Sequence, residues 1–579
     1  MSRLKVLLII FILIAVTILA RLFYWQFLSD VEKRTISDIN PDEIPAPRGE
    51  ILSRDSYPLA TNQEAYLIYA TPKVIKDPAG AAKKLAPLLI PEKFSTISAS
   101  ANPDLISQKE QAVEAQQKNI MSKISNNDLY WVLLKRKITA QAKSQIESFD
   151  IAGLGFERDD KRYYPEASMA AQLLGFVGSD KFGNDTGYFG LEGYYNSILR
   201  GKAGHGANTL DPKGYPILTS KFKTTPPQKG SSLITTIDRP IQFIVEDALE
   251  KAVEKYGAKD GTVVILDPKT GHVVAMATYP SYNPATFSEY EPGLYKNPAV
   301  ADTYEPGSTF KVVTMSSALD LNLVTPTTKC TTCSGPREIG GYEISTWNKK
   351  YYPNSTMTDV IAHSDNVGMT FVSEKLGLDR LYSAITKFGF GKLTGIDLEE
   401  ESPGVVRNKP DWHQIDIATA SFGQGLAVTP IQIVQAVGAI ANGGKLISPK
   451  IVSATVTNGK VENYPQDQGT QVISQKAATQ MTEMMVGAVD NGEAKAFKPK
   501  GYRIAGKTGT AQVPLAGHYD PNKTIASFVG FAPAQNPKFV MLVRFTEPTS
   551  SQFGSETAAP TFFTIARELF NYYGIPADH

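Results

Sequence analysis

The chain has 579 residues, of which 42% are hydrophobic, and its 59 basic and 58 acidic residues give a net charge of +1. This length is enough for several domains, and the balanced charge argues against a nucleic-acid-binding protein. The cysteines, Cys330 and Cys333, are too few for a disulfide framework or an all-cysteine zinc site. A disulfide between them and a pair of free thiols are both compatible with the sequence.

Residues 6–28 predict a membrane-spanning helix at the N-terminus. Residues 6–20 are apolar and carry no charge, and aromatic residues after Arg21 extend the stretch to a length that crosses a bilayer. A cleaved signal peptide is the alternative, but Ile18 would occupy the −3 position of the nearest cleavage site, which favours a small side chain. We therefore expect an uncleaved anchor.

The basic residues before this stretch predict its orientation. Arg3 and Lys5 favour a cytoplasmic N-terminus, because positive charges that flank a membrane helix stay on the cytoplasmic side. Residues 1–5 would then form a short cytoplasmic tail. Everything after residue 28 is expected to lie outside the cytoplasm, attached to the cell membrane by a single pass.

Residues 29–225 predict a mixed α/β region in which no nucleophile and base come together. The segments 47–55 and 58–62, followed by an alternating pattern over 65–70, indicate strands joined by a turn, and the pattern over 78–150 is largely helical. Residues 203–230 are rich in Gly, Pro and Lys and indicate an extended connection. We interpret this region as a structural or docking domain.

A change in composition near residue 231 marks the start of a second domain, 226–579. Its first strand is expected over 232–238, followed by a helix from Pro240 to about Tyr256. The later strands are predicted at 262–267, 272–277, 525–531 and 539–545, and the last helix at 560–573. These elements predict an α+β fold in which an antiparallel sheet is flanked by helices.

The segment around Ser308 predicts a nucleophile. Pro306 and Gly307 indicate a turn, and the apolar run that follows indicates a buried helix, so Ser308 lies near free backbone N–H groups at a helix N-terminus. Lys311 follows one turn later on the same face. Its amine can accept the serine proton if burial or a nearby cation lowers the lysine pKa from about 10.4.

A second motif, Ser364-Asp365-Asn366, lies between two apolar segments. The hydroxyl of Ser364 offers a proton relay between Lys311 and a leaving amine. The amide of Asn366 can bond a substrate carbonyl and pack against the lysine.

A third motif, Lys507-Thr508-Gly509-Thr510, lies in a predicted strand. Lys507 and Thr508 offer a cation and a hydroxyl that suit a carboxylate. Gly509 is expected to let a substrate backbone approach closely. The backbone N–H of Thr510 could form an oxyanion hole together with that of Ser308.

The three motifs S-x-x-K, S-x-N and K-T-G, in this order, form a specific signature. With it the chain resembles the class B penicillin-binding proteins, which are monofunctional peptidoglycan D,D-transpeptidases. The resemblance extends over nearly the whole chain. Its further blocks lie at 48–49, 59–60, 162–165, 190–193, 199–201, 275–277, 280–284 and 421–425.

This resemblance implies a transmembrane anchor at 6–28, a pedestal or dimerisation-type domain at 29–225 and a transpeptidase domain related to β-lactamases at 226–579. It also implies the catalytic roles. Ser308 would be the acylated nucleophile, Lys311 its base and Ser364 the proton relay.

The resemblance further implies how the remaining motif residues meet the substrate. Asn366 would contact it, Lys507 and Thr508 would bind its terminal carboxylate, and Thr510 would complete the oxyanion hole. The expected substrates are peptidoglycan stem peptides, and β-lactams would acylate the same serine. No metal or organic cofactor is implied. The expected partners are a membrane lipid-II glycosyltransferase and other wall-synthesis proteins.

Two other functions are compatible with the same motifs. A membrane-anchored β-lactamase would need a group that activates water for deacylation, and a β-lactam-binding sensor or scaffold would acylate without turning over. A large N-terminal domain argues against the first. A sensor would be expected to carry more transmembrane helices and a cytoplasmic signalling part, for which residues 1–5 are too short.

Overall fold

The computed structural model describes residues 13, 15–18, 21, 43–95, 97–98, 102–126, 128–207, 223–515 and 518–577. Within these ranges, no helix is both long enough and apolar enough to cross a membrane. The predicted anchor at 6–28 and the cytoplasmic tail at 1–5 lie almost entirely outside the described residues.

A five-stranded antiparallel sheet forms the centre of the C-terminal region. Its strand order is Val273–Tyr279, Asp260–Leu266, Phe539–Thr546, His518–Ala532 and Ala505–Leu515. The strands predicted at 262–267, 272–277 and 539–545 are therefore confirmed within two residues, whereas the strand predicted at 525–531 begins seven residues earlier, at His518. Ala505–Leu515, which we call the edge strand, lies at one margin of the sheet and carries the third motif.

Both faces of this sheet are buried, because successive side chains along its strands enter different cores. Val263 and Ile265 pack on one side with the helices Arg239–Tyr256 and Ala558–Tyr573. Val264 and Leu266 pack on the other side, with the helix Lys311–Asp320. We call Lys311–Asp320 the core helix, since all of its residues except the last are buried.

The C-terminal region contains several further helices and strands. Its other helices are Pro298–Ala301, Met357–Ala362, Asn366–Lys387, Gln414–Ala420, Pro430–Ala441 and Gln475–Asn491. Its other strands are Ser232–Thr235, Arg337–Ile339, Tyr342–Ile344, Lys445–Leu446, Val452–Thr457, Lys460–Asn463 and Thr470–Gln471. Cys330 and Cys333 are buried here and form a disulfide, which selects one of the alternatives that the sequence allowed.

The N-terminal region is mixed α/β, as predicted. Its helices are Pro78–Leu89, Glu92–Ser95, Pro103–Ile124, Ala140–Glu147, Ala171–Leu174, Gly190–Tyr194 and Asn196–Leu199. Its strands are Glu43–Ile44, Ile51–Leu52, Pro58–Gln63, Ala65–Ala70, Val132–Thr139, Leu154–Arg158, Lys161–Tyr163, Phe176–Ser179, Asp185–Tyr188, Gly204–Ala207 and Lys223–Thr225. Val132–Thr139 corrects the helical reading of 78–150, because this strand pairs with Ala65–Ala70 although charged residues fill its middle.

The chain forms two compact units. The smaller unit comprises Met1–Ala46, Ser179–Asn184 and Lys202–Gln228, and its described part contains an antiparallel sheet of Glu43–Ile44, Gly204–Ala207 and Lys223–Thr225. The predicted extended connection at 203–230 therefore includes two short strands. Gly204–Ala207 contains two glycines and Lys223–Thr225 has only three residues, so neither gave a strand signal.

The larger unit contains both the rest of the N-terminal region and the whole C-terminal region. Within it, Ser232–Thr235 pairs in parallel with Ile51–Leu52 and antiparallel with Val452–Thr457. A single sheet thus includes strands from before and after the composition change near residue 231.

Candidate active site

Ser308 lies in a tight turn that leads into the core helix. Gly307–Phe310 forms one 3-10 turn, and the α-helix begins at Lys311. Gly307 has a positive φ of 54°, and its N–H donates to the carbonyl of Gly423 at 3.1 Å. The turn is therefore held from outside the helix, and Ser308 remains partly exposed at the start of a buried element.

Lys311 is completely buried one turn after Ser308. Its Nζ donates to the Ser364 carbonyl at 2.6 Å, to the Ser364 Oγ at 3.3 Å and to the Asn366 Oδ1 at 2.8 Å. Among the described residues, Ser308 Oγ is not a hydrogen-bond partner of this amine. Catalytic hydrogen bonds often tighten only when substrate binds, so this geometry is compatible with a base that engages the serine in the complex.

The surroundings of Lys311 favour its neutral form. Burial lowers its pKa well below the ordinary value, and the positive charge of Lys507 lowers it further. Asp365 and Glu493 act in the opposite direction and raise it. The net effect is a lysine that can hold a free electron pair near neutral pH, as a general base requires.

Ser364 lies in the short connection between the helices Met357–Ala362 and Asn366–Lys387. Its φ is 54°, a left-handed conformation that costs a non-glycine residue about 1 kcal/mol or more. In this conformation, the Ser364 hydroxyl accepts hydrogen bonds from two lysines, Lys311 at 3.3 Å and Lys507 at 2.9 Å. Asn366 completes the loop and donates to the Ser345 carbonyl at 3.3 Å.

Lys507 lies on the edge strand, opposite Val529 of the neighbouring strand, and is buried. Burial lowers its pKa to about 8. Besides Ser364 it bonds the carbonyl and the hydroxyl of Thr508, each at 3.2 Å. The ammonium and the Thr508 hydroxyl are thus held together, as the sequence predicted for a carboxylate-binding pair.

Packing explains why position 509 is a glycine, which the sequence alone did not reveal. A Cβ at this position would lie 2.5 Å from the Ser527 Oγ and 2.7 Å from the Thr309 Cγ2. Glycine therefore lets the edge strand pack directly against the turn that carries Ser308. The predicted approach of a substrate backbone to Gly509 stays a prediction.

Thr510 lies next to the same turn. A Cβ at Gly307 would lie 3.1 Å from the Thr510 carbonyl oxygen, and the Thr510 Oγ1 accepts from the Gly554 N–H at 3.1 Å. The two backbone segments proposed for the oxyanion hole are thus neighbours.

The structure brings all three motifs together in one site, although Ser308 and Lys507 are 199 positions apart in the sequence. It also adds Asp365, which the sequence analysis named only as part of a motif. This carboxylate caps the helix Asn366–Lys387 by accepting from the Gly368 N–H at 3.1 Å, and it is buried. Its position directly before a helix was a capping signal that the sequence offered.

A model of the penicillin-binding protein transpeptidase domain matches residues 261–569, and a model of the penicillin-binding protein dimerisation domain matches residues 43–235. Stage V sporulation protein D of Bacillus subtilis is 33% identical over 99% of this chain and 86% of its own length. A probable peptidoglycan D,D-transpeptidase, PbpC of Pseudomonas aeruginosa, is 30% identical over 98% of this chain and 95% of its own length.

Among solved structures, penicillin-binding protein 3 of Mycobacterium tuberculosis in complex with aztreonam is similar, with a TM-score of 0.69 and 26% identity. The match covers 93% of this chain and 98% of that one. The domain models, the full-length relatives and the solved structure all point to the same family. The chain therefore belongs to the penicillin-binding proteins that carry a dimerisation domain and a transpeptidase domain.

Proposed function

We propose that this protein is a peptidoglycan D,D-transpeptidase that works through an acyl-enzyme on Ser308. The observation that carries the proposal is the convergence of two buried lysines, Lys311 and Lys507, on the hydroxyl of Ser364. Lys311 lies one helical turn after the nucleophile Ser308. Buried amines with lowered pKa values, beside a partly exposed serine, are suited to acyl transfer.

In the first step, the Ser308 Oγ attacks the carbonyl carbon of the penultimate D-alanine of a stem peptide, and its proton passes to the neutral Lys311 Nζ. The carbonyl oxygen becomes an oxyanion, which the backbone N–H groups of Ser308 and Thr510 stabilise. Asn366 contacts the substrate, while Lys507 and Thr508 hold the terminal carboxylate.

The tetrahedral intermediate then breaks its C–N bond. The proton on Lys311 passes through the Ser364 hydroxyl to the departing nitrogen, so the terminal D-alanine leaves as an amine and the serine ester remains. The amine of a second stem peptide next attacks the ester, gives up its proton by the reverse route and regenerates Ser308. A β-lactam follows the first step, but its ring opens without losing a leaving group.

Labelling of the purified full-length chain with a fluorescent penicillin tests this proposal. We expect a stable covalent band with wild type and none with Ser308→Ala. Ser317→Ala is the matched control, since Ser317 lies in the core helix that follows the turn of Ser308, is buried, and its hydroxyl donates to the Val313 carbonyl at 2.8 Å. This control is expected to label like wild type.

Other labelling results would contradict the assignment of Ser308 or favour one of the two alternative functions. A band that survives in Ser308→Ala would contradict the assignment of the nucleophile. A wild-type band that disappears rapidly would favour the β-lactamase alternative. Stable labelling without release of D-alanine from a stem-peptide substrate would favour a sensor or scaffold.

The cellular setting forms part of the same proposal. Residues 6–28 anchor the chain in the cell membrane with its N-terminus in the cytoplasm, and residues 29–225 dock a membrane lipid-II glycosyltransferase. The apolar, uncharged stretch at 6–20 after Arg3 and Lys5 supports the anchor. Extraction of cell membranes with alkaline carbonate tests it, because a spanning protein stays in the pellet, whereas recovery in the supernatant would contradict the anchor.

A further inference from the structure

A carboxylate three residues before the nucleophile joins three separate segments of the chain. Glu305 accepts the Gly425 N–H at 2.9 Å, and the Tyr519 hydroxyl donates to both of its oxygens at 3.1 and 3.2 Å. Gly425 lies in the loop before the helix Pro430–Ala441, and Tyr519 lies in the strand next to the edge strand. The three sequence motifs do not predict this contact, although Gly425 ends the block at 421–425.

The ionisation of Glu305 and Tyr519 favours a hydrogen bond between them near neutral pH. Burial raises the pKa of Glu305 above its ordinary value, and the bonds from Gly425 and Tyr519 offset only part of this rise. Burial and the neighbouring Glu305 raise the pKa of Tyr519 to about 12, which keeps the phenol a hydrogen-bond donor at neutral pH. A hydroxyl that donates to a carboxylate forms a strong hydrogen bond.

Tyr519 lies in the outer part of the hairpin formed by the edge strand and its neighbour. The pairing register shifts between Gln512 and Pro514, and Tyr519 pairs with Pro514 beyond that shift. Thr510 lies on the inner side of the shift, opposite Ala526. A bond at Tyr519 therefore fixes the hairpin a few residues from the backbone N–H of Thr510.

The hairpin and the turn of Ser308 are packed without a gap. A Cβ at Gly509 would lie 2.7 Å from the Thr309 Cγ2 and 3.2 Å from the Pro306 carbonyl oxygen. The turn is also pinned from its other side, where Gly307 donates to Gly423. In such a close-packed arrangement, a displacement of the hairpin changes the distance between the two segments directly.

We propose that Glu305 and Tyr519 are positioning residues that set the separation between the backbone N–H groups of Ser308 and Thr510. The Tyr519 hydroxyl draws the hairpin toward Glu305, and Glu305 is joined by only three peptide units to Ser308. This inference rests on the proposed function, because it assigns these two N–H groups to the oxyanion hole. Neither positioning residue touches the reacting atoms.

Tyr519→Phe in the full-length chain removes the donor and keeps the ring. We expect the rate constant of acylation by benzylpenicillin to fall about 10- to 100-fold, since loss of a whole oxyanion donor costs about 100- to 1,000-fold and this change only displaces one. The dissociation constant of the preceding non-covalent complex should stay unchanged. The ester carbonyl stretch of the acyl-enzyme, read by infrared difference with ¹³C-labelled benzylpenicillin, should move to higher frequency.

Tyr572→Phe is the matched control, because the Tyr572 hydroxyl donates to both oxygens of Asp238 at 3.0 Å in the same manner, on the helix Ala558–Tyr573. Its acylation rate and carbonyl frequency should equal those of wild type. Glu305→Gln is a second variant that keeps an acceptor for Gly425 but weakens the bond from Tyr519. It should fall between wild type and Tyr519→Phe in both measurements.

The outcomes separate this inference from the proposed function. If wild type forms no acyl-enzyme, the proposed function fails. If wild type acylates and Tyr519→Phe matches it in rate and in carbonyl frequency, the positioning role is wrong while the function stands. A slower Tyr519→Phe with an unchanged carbonyl frequency would also overturn the inference, since the oxyanion contacts would then be intact.

Discussion

Two clusters of buried charge lie in the larger unit, and they are built in opposite ways. In the N-terminal region, Glu192 lies between Arg48 and Arg162, each of which bonds one of its oxygens through Nε at 2.6 Å. In the active site, Lys311 and Lys507 share only neutral partners, chiefly Ser364. One cluster pairs opposite charges, and the other brings two basic groups together.

The consequences for ionisation differ accordingly. Burial alone would raise the pKa of Glu192, but the charges of Arg162 and Arg48 outweigh it and lower the pKa, so the carboxylate stays ionised. Burial lowers the pKa of both lysines, and their mutual repulsion adds to the effect on Lys311. Breaking a compensated cluster is therefore expected to destabilise the fold, whereas a weakly compensated cluster keeps a base reactive at a cost in stability.

Removing the reactive amine should give the largest effect. Lys311→Met and Lys311→Arg should each slow acylation by penicillin about 1,000-fold or more, because no neutral base remains to take the serine proton and arginine stays charged at neutral pH. Lys311→Met should change the melting temperature little, since burial already holds the amine largely in its neutral form. Near-normal acylation by Lys311→Arg would contradict the base role and favour a purely electrostatic one.

Glu192→Gln should have the reverse phenotype. It leaves Arg48 and Arg162 buried without a counter-charge, which is expected to lower the free energy of unfolding by about 3–5 kcal/mol. Urea denaturation measures this loss, and the molecules that remain folded should acylate at the wild-type rate. Glu462→Gln, on the exposed strand Lys460–Asn463, is the control and should change neither quantity. Equal stabilities for the two variants would contradict the structural role of Glu192.

The contrast between these clusters also separates what the sequence could predict from what it could not. Ser308, Lys311 and Lys507 were identifiable because each lies in a short motif whose chemistry is carried by neighbouring residues. The bond between Arg48 and Glu192 spans 144 positions, and no local pattern names the partner of a buried carboxylate. The same holds for Glu305 and Tyr519, which are 214 positions apart.

The sequence also does not reveal which distant neighbours determine the backbone at a given position. The sequence marks Gly509 as a place where a side chain is absent, but it does not say which neighbour requires the space. In the structure that neighbour is Thr309 on the turn of the nucleophile. The strand Val132–Thr139 was missed for a related reason, since its pairing with Ala65–Ala70 overrides a polar local pattern.

The destabilisation caused by burying Lys507 in the active site should appear as a pH dependence of the free energy of unfolding. The folded-state pKa of Lys507 is about 8, and an unfolded lysine titrates near 10.4, so the unfolded state binds more protons between these values. Wild-type stability from this source therefore rises with pH across the window, and below pH 8 the full penalty, about 3 kcal/mol, applies. Lys507→Met should lack this rise. The free energy of unfolding of wild type, relative to that of the variant, should therefore increase from pH 8 to pH 10. A constant difference would show that Lys507 is not destabilised by burial.

The smallest expected effect concerns the carboxylates that partly compensate the lysines. Asp365 and Glu493 both raise the pKa of Lys311, so their removal should lower it and move the acid limb of the acylation profile to lower pH. Asp365→Asn keeps an oxygen that can cap the helix Asn366–Lys387, and it should make acylation a few-fold faster than wild type below neutral pH. Rates measured from pH 5 to 8, with melting temperatures alongside, test this.

Salt distinguishes the two carboxylates, because Asp365 is buried and Glu493 is exposed. Glu493→Gln should shift the acid limb in the same direction but less, and the shift should vanish in about 1 M salt, where charges interact over only about 3 Å. The shift caused by Asp365→Asn should persist, since salt does not screen a buried pair to the same extent. If both shifts persisted, Glu493 would act through a contact rather than through its field. If neither variant shifted the profile, the ionisation of Lys311 would be governed by burial and Lys507 alone, which is the limiting case of an uncompensated cluster.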